Sequence, residues 1–128
     1  MSLRSPLSRV LGSGSAKEGT DHWWMQRVTA IALLILGPWF LISFAQIDGY
    51  SRVEMHAWVA IPLNSIMLLL ASLTLAWHSV LGIQMVVEDY IHGPGLKVFA
   101  LILNKFVHVI LCVAAILAIL KVAMGGPL

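Results

Sequence analysis

Three long apolar runs constrain this 128-residue chain more than any other feature. The first reads VTAIALLILGPWFLISFAQI, from Val28 to Ile47. The second extends from Trp58 to Val87 and the third from Val98 to Met124. About 20 apolar residues suffice to cross a bilayer as a helix. Each run therefore predicts a membrane span, and the fold class is an all-α integral membrane protein with three transmembrane helices. Composition excludes the alternatives. Apolar residues make up 59% of the chain and charged residues 11%, against roughly 45–50% and about 25% in soluble domains. A soluble domain of this size has too little interior to hide that surface. The single cysteine, Cys112, excludes an internal disulfide and reads as a small lipid- or helix-facing residue.

Residues 1–22 form a polar, Ser/Gly-rich segment expected to be a flexible aqueous lead-in, and residues 23–128 form the three-helix membrane domain. The lead-in has no apolar run of the length a signal peptide needs. Gly37-Pro38 predicts a kink in the first span, because proline removes a helix hydrogen bond and crowds the preceding turn. The second run, at roughly 30 residues and about 45 Å, exceeds a ~30 Å hydrocarbon core and must tilt or project. Pro62 suits its first turns, where a missing N–H costs least. His92-Gly93-Pro94-Gly95 is the turn before the third span.

The basic residues set topology, not nucleic-acid binding. Arg4, Arg9, Lys17, Arg27, Lys97 and Lys105 fall on one side, and only Arg52 and Lys121 on the other. The N-terminus and second loop are expected on the cytoplasmic side and the C-terminus on the periplasmic side. Trp23, Trp24 and Trp58 read as interfacial belt residues.

Polar groups inside a span are costly and so are functional candidates. His78 is the best of them, because a neutral imidazole is a good ligand for haem iron. Asp89 follows eleven residues later and Tyr90 one further. Eleven helical steps leave His78 and Asp89 about 20° apart in azimuth and ~16 Å apart along the axis. Met85 shares that face, and Gly82, one turn from His78, would let a flat macrocycle approach. Two layouts fit this pattern. One is a metal ligand at depth beneath a proton-coupled site. The other is a histidine bonded across helices, with Asp89 and Tyr90 as interfacial anchors. On the third span, Asn104, Lys105 and His108 share a neighbourhood and read as a partner contact or a wet cleft, with Lys105 also able to snorkel. Asn64 suggests an interhelical hydrogen bond, and Ser79 fits either a cofactor or the preceding backbone turn. His22, His56 and His92 read as solvated or interfacial.

The segment His78-Ser79-x-x-Gly82-x-Gln84-x-x-x-x-Asp89-Tyr90, with the opening Arg27-Val28-Thr29-Ala30-Ile31, resembles the D-type membrane-anchor subunits of succinate dehydrogenase, respiratory complex II. The likeness covers about residues 20–124. It implies a chain that packs with a second, C-type, three-helix anchor and docks the iron–sulfur and flavoprotein subunits on its cytoplasmic side. Succinate oxidation would then belong to the partner subunits. It further implies that His78 is an axial ligand of a shared haem b, that Tyr90 and Asp89 belong to a ubiquinone site, and that Arg27 pairs with a haem propionate. His108 is a further haem candidate, since some relatives bind two haems. The related anchor of a fumarate reductase and a non-redox membrane scaffold are the alternatives. A starting Met without an Arg/Ser-rich presequence favours a bacterial inner membrane over a mitochondrial one.

Overall fold

The computed structural model describes residues 19–126. They form four helices: α1 (Gly19–Ala45), α2 (Arg52–Ala60), α3 (Pro62–Tyr90) and α4 (Pro94–Ala123). The polar lead-in expected over residues 1–22 lies outside the described residues up to position 18, and its last four residues belong to α1. No strand occurs among the described residues. Three helices, α1, α3 and α4, are long and apolar enough to cross a membrane.

The helices run past the apolar windows at several ends. α1 begins nine residues before Val28, because backbone hydrogen bonding continues through the polar turns around Asp21 and Arg27 after apolarity stops. It passes through Pro38 as one continuous helix. Membrane helices tolerate such a proline.

The second run differs from expectation. It is not one helix from Trp58: a break at Ile61 separates the nine-residue α2 from α3, and Pro62 stands at the first position of α3. Pro62 has no N–H to offer the Trp58 carbonyl four residues back. The side-chain amide of Asn64 donates to that carbonyl instead, at 2.8 Å. The Ser65 hydroxyl donates to the carbonyl of Val59. Asn64 and Ser65 are both buried, so two exposed-end carbonyls of α2 are satisfied by the helix that follows.

α2 is entered through a left-handed turn at Gly49 (φ 82°) and Tyr50 (φ 53°). Ser51 then caps it: its hydroxyl accepts from the Glu54 N–H, and the Glu54 carboxylate accepts from the Ser51 N–H at 2.8 Å. This reciprocal pair satisfies two donors that would otherwise be open. The Ser51 N–H and hydroxyl hold the Glu54 carboxyl below its ordinary range.

The spans run up, down and up. Thr29 meets His78 and Gln26 lies against Gly82, so α1 and α3 are antiparallel. Asn104 reaches Val80 and Lys97 reaches Glu88, so α3 and α4 are antiparallel as well. The N-terminal end of α1 and the loop 91–93 therefore share one side of the layer, and α2 lies at the other. α1 and α4 each pack on α3, and their backbones do not come close to one another. The result is a layer, not a closed bundle. The buried set is correspondingly small: Leu36, Ile47, Leu81, Val87 and Val122, with the polar Thr29, Asn64, Ser65 and Asn104. Small and polar residues at the contacts are usual where lipid removes the hydrophobic drive between helices.

At the α2 end, Trp58 stacks on Trp39 at 6.2 Å and meets Phe40 and Phe44 edge-on, with Tyr50 beside Phe44. Trp58 thus packs in an aromatic cluster and does not open a span. For His56 the packing favours the interfacial over the solvated reading: its Nε2 is buried with no partner among the described residues, and the residue lines a small cavity with Ile119 and Val122 of α4.

Candidate functional site in the helix layer

The middle of α3 presents its polar residues to both neighbours. His78 faces α1, where its Nδ1 lies 2.9 Å from the Thr29 hydroxyl. Among the described residues, His78 Nε2 makes no hydrogen bond. The Thr29 hydroxyl also lies 2.7 Å from the Met25 carbonyl and 3.1 Å from that of Gln26. Gly82 is one turn along. A Cβ there would meet only Gln26 Nε2, at 3.7 Å, so at this point α3 lies against a side chain of α1.

The next residue, Ser79, faces α4. Its hydroxyl is 2.9 Å from His108 Nε2, while His108 Nδ1 is 2.8 Å from the Asn104 carbonyl. A carbonyl only accepts, so Nδ1 carries the proton and Nε2 accepts from Ser79. Both ring nitrogens of His108 are therefore engaged, and nothing remains on this ring for a metal. Asn104, buried, donates to the Val80 carbonyl at 3.0 Å. Lys105 is exposed and lines a lateral groove of about 510 Å³ between α3 and α4, with His108, Gln84, Trp77 and Cys112.

Toward the loop 91–93, a second cleft of about 650 Å³ opens between α1 and α3. His22, Gln26 and Arg27 line it from α1, and Gln84, Met85 and Glu88 from α3. The Arg27 guanidinium sits 5.5 Å above the Trp23 ring, a cation–π contact. Gln84 donates to the Glu88 carboxylate at 2.7 Å. Two polar atoms here, His22 Nε2 and Gln26 Oε1, are buried with no partner among the described residues, which favours the interfacial over the solvated reading of His22. Lys97 donates to the Glu88 carbonyl at 2.8 Å, and so closes the C-terminal turn of α3 with a positive charge.

Asp89 and Tyr90 end α3 and are exposed, Tyr90 by 77%. Neither side chain makes a hydrogen bond or ion pair with a described residue. The structure therefore brings Arg27 together with Gln84, Met85 and Glu88, and His78 together with Thr29. It leaves Asp89 and Tyr90 facing outward. His92, in the loop, is exposed and bonds the Tyr90 carbonyl at 3.1 Å. Sequence reasoning passed over Glu88, Gln26 and the pairing of Thr29 with His78. Thr29 stood in the quoted opening motif, but nothing in the sequence told which way its hydroxyl faces. Among the described residues there is no group of three or more His, Cys, Asp or Glu able to hold a bare metal ion.

The chain matches the model of the family described as succinate dehydrogenase/fumarate reductase transmembrane subunit over residues 1–120. It is 37% identical over 118 residues to a succinate dehydrogenase hydrophobic membrane anchor subunit of Rickettsia bellii, covering 91% of this chain and 94% of that one. It is 35% identical to the protein of the same description in Rickettsia typhi, with the same coverage. With that of Paracoccus denitrificans the identity is 30% over 122 residues, 95% of this chain and 94% of the other. Three apolar spans and these bacterial relatives make it a multi-pass protein of a bacterial inner membrane. With the likeness running nearly end to end, the chain belongs to the succinate dehydrogenase/fumarate reductase transmembrane subunit family.

Proposed function

We propose that this chain is a membrane-anchor subunit of a succinate:ubiquinone oxidoreductase and that it contributes one axial ligand to haem b and part of the ubiquinone site. The single observation that carries the haem assignment is the His78 ring, tied at Nδ1 and without a partner at Nε2 among the described residues. That is the donor a haem iron takes from a protein. His108 has no such atom to give. When bound, haem b supplies a one-electron carrier whose potential the surrounding protein sets.

Arg27 stands at the mouth of the α1–α3 cleft with no carboxylate partner among the described residues, and so suits an anionic group such as a haem propionate. Tyr90 and Asp89 act at the end of α3. The Tyr90 hydroxyl donates to a carbonyl of ubiquinone, and its ring packs against the isoprenoid. Reduction to ubiquinol takes two electrons and two protons. The Asp89 carboxylate, exposed at the end of α3, holds or passes protons to that site. The electrons come from succinate, oxidised on the flavoprotein subunit and carried by the iron–sulfur subunit. A second three-helix anchor, of the C type, supplies the other haem ligand and covers α3. The N-terminus faces the cytoplasm and the C-terminus the periplasm, on the distribution of Lys and Arg.

The test is the dithionite-reduced minus oxidised spectrum of the complex, purified through a tag on this chain, for wild type and His78→Ala. A b-type signal in the wild type that is lost or shifted in the variant is expected. A wild-type complex without haem, or a variant spectrum identical to wild type, rejects ligation by His78.

A further inference from the structure

We infer that Thr29 is the positioning residue of His78: its hydroxyl accepts the Nδ1–H and so fixes the tautomer and ring plane that leave Nε2 free as a ligand. This rests on the reading of His78 as a haem ligand. A hydroxyl has one proton to donate. Two carbonyl oxygens, of Met25 at 2.7 Å and Gln26 at 3.1 Å, lie within reach of the Thr29 oxygen. Neither can donate, so the hydroxyl proton must point at them, or an oxygen–oxygen contact of 2.7 Å would be purely repulsive. The same hydroxyl oxygen lies 2.9 Å from His78 Nδ1. With its proton spent, it faces the ring as an acceptor. Nδ1 must then carry the hydrogen, and in the neutral ring Nε2 carries the lone pair.

Placement supports the same role. Thr29 is buried, 7% exposed, and is the only described residue that bonds the His78 ring. It sits on α1 while its partner sits on α3, 49 residues later, so the pairing fixes the ring relative to both helices. Histidines that bind metals usually donate their second N–H to such a partner, which orients the ring and raises the basicity of the ligating nitrogen. A more basic imidazole favours ferric over ferrous iron. Removing the acceptor is therefore expected to raise the haem midpoint potential.

The experiment compares Thr29→Val, which keeps the shape without the hydroxyl, with Thr29→Ser, which keeps the hydroxyl. Both are read in the purified complex by haem content, redox titration and the low-spin ferric EPR spectrum. Thr29→Val is expected to raise the midpoint potential, shift the EPR g values and weaken haem retention by about 10- to 100-fold, as loss of a ligand-orienting partner does. Thr29→Ser is expected to match wild type. A Thr29→Val complex that holds haem with unchanged potential and g values overturns the inference, while the loss of haem signal in His78→Ala would still uphold the ligand reading. If His78→Ala leaves the spectrum unchanged, both fall. Should Thr29→Val fail to assemble, the wild type decides. In the reduced, diamagnetic complex labelled with ¹⁵N-histidine, an axial ring protonated at Nδ1 and bound through Nε2 is expected. Axial histidines bound through Nδ1 overturn the inference.

Discussion

His78 and His108 have nearly the same residues around them in sequence terms, apolar stretches of a membrane span, and opposite chemistry. His108 is closed by Ser79 and by the Asn104 carbonyl. His78 is closed on one nitrogen only. His108→Ala should therefore leave the reduced haem spectrum of the complex intact. It should lower thermal stability by about 1–3 kcal/mol, the cost of leaving buried hydrogen-bonding groups unpaired. A lost or shifted haem band in that variant would reverse the assignment. Tyr90→Phe should spare assembly and haem, because its side chain makes no bond to a described residue, while succinate–ubiquinone turnover falls. A Phe variant with full turnover would remove Tyr90 from the quinone site. The relative placement of His78, Asp89 and Tyr90 was legible because they lie on one helix, where spacing alone fixes relative azimuth. The Thr29 partner of His78 and the Ser79 partner of His108 were not. They lie 49 and 29 residues away, and which residues meet depends on how each helix is rotated on its neighbour.

Among the elements, the spans were legible from apolarity, and the break between α2 and α3 was not. Pro62 is compatible both with an early helical turn and with a new start. What decides is where the Trp58 and Val59 carbonyls find donors, and Asn64 and Ser65 provide them. Asn64→Leu should thus destabilise the α2–α3 junction by about 1–3 kcal/mol, seen as faster amide exchange over residues 58–65 with the haem spectrum unchanged. The opening of α2 carries its own pH signature. The Glu54 carboxyl titrates below its ordinary range because the ionised form accepts from Ser51. Its stabilisation of the cap is fully present above the ordinary glutamate value and is lost as pH falls through the lowered one. The protection of the Glu54 amide, its exchange rate measured against the intrinsic rate at each pH, should fall on acidification in wild type. In Ser51→Ala that protection should be low already and nearly independent of pH. The same acid response in both proteins would discount the capping box.

At the scale of the molecule, a layer of three spans in which the backbones of α1 and α4 stay apart leaves both faces of α3 only partly covered. Nine residues are buried among those described, and no large side chain is fully so. His22, Gln26 and Asn104 each keep a buried polar atom without a partner among the described residues. Expressed without its partner subunits, the chain should accumulate poorly and be extracted as aggregates or proteolysed. Co-expression with the complex should restore a stable species, read by size exclusion of the solubilised membrane. The adjacent residues His78 and Ser79 have one further effect. They point about 100° apart on α3, one to Thr29 of α1 and the other to His108 of α4. Turning α3 about its own axis in either sense would pull one of these bonds open. The helix is keyed against rotation at mid-depth, like a shaft pinned from two sides. Asp89 and Tyr90, ten and more residues along the same shaft, inherit their heading from that lock and not from contacts of their own.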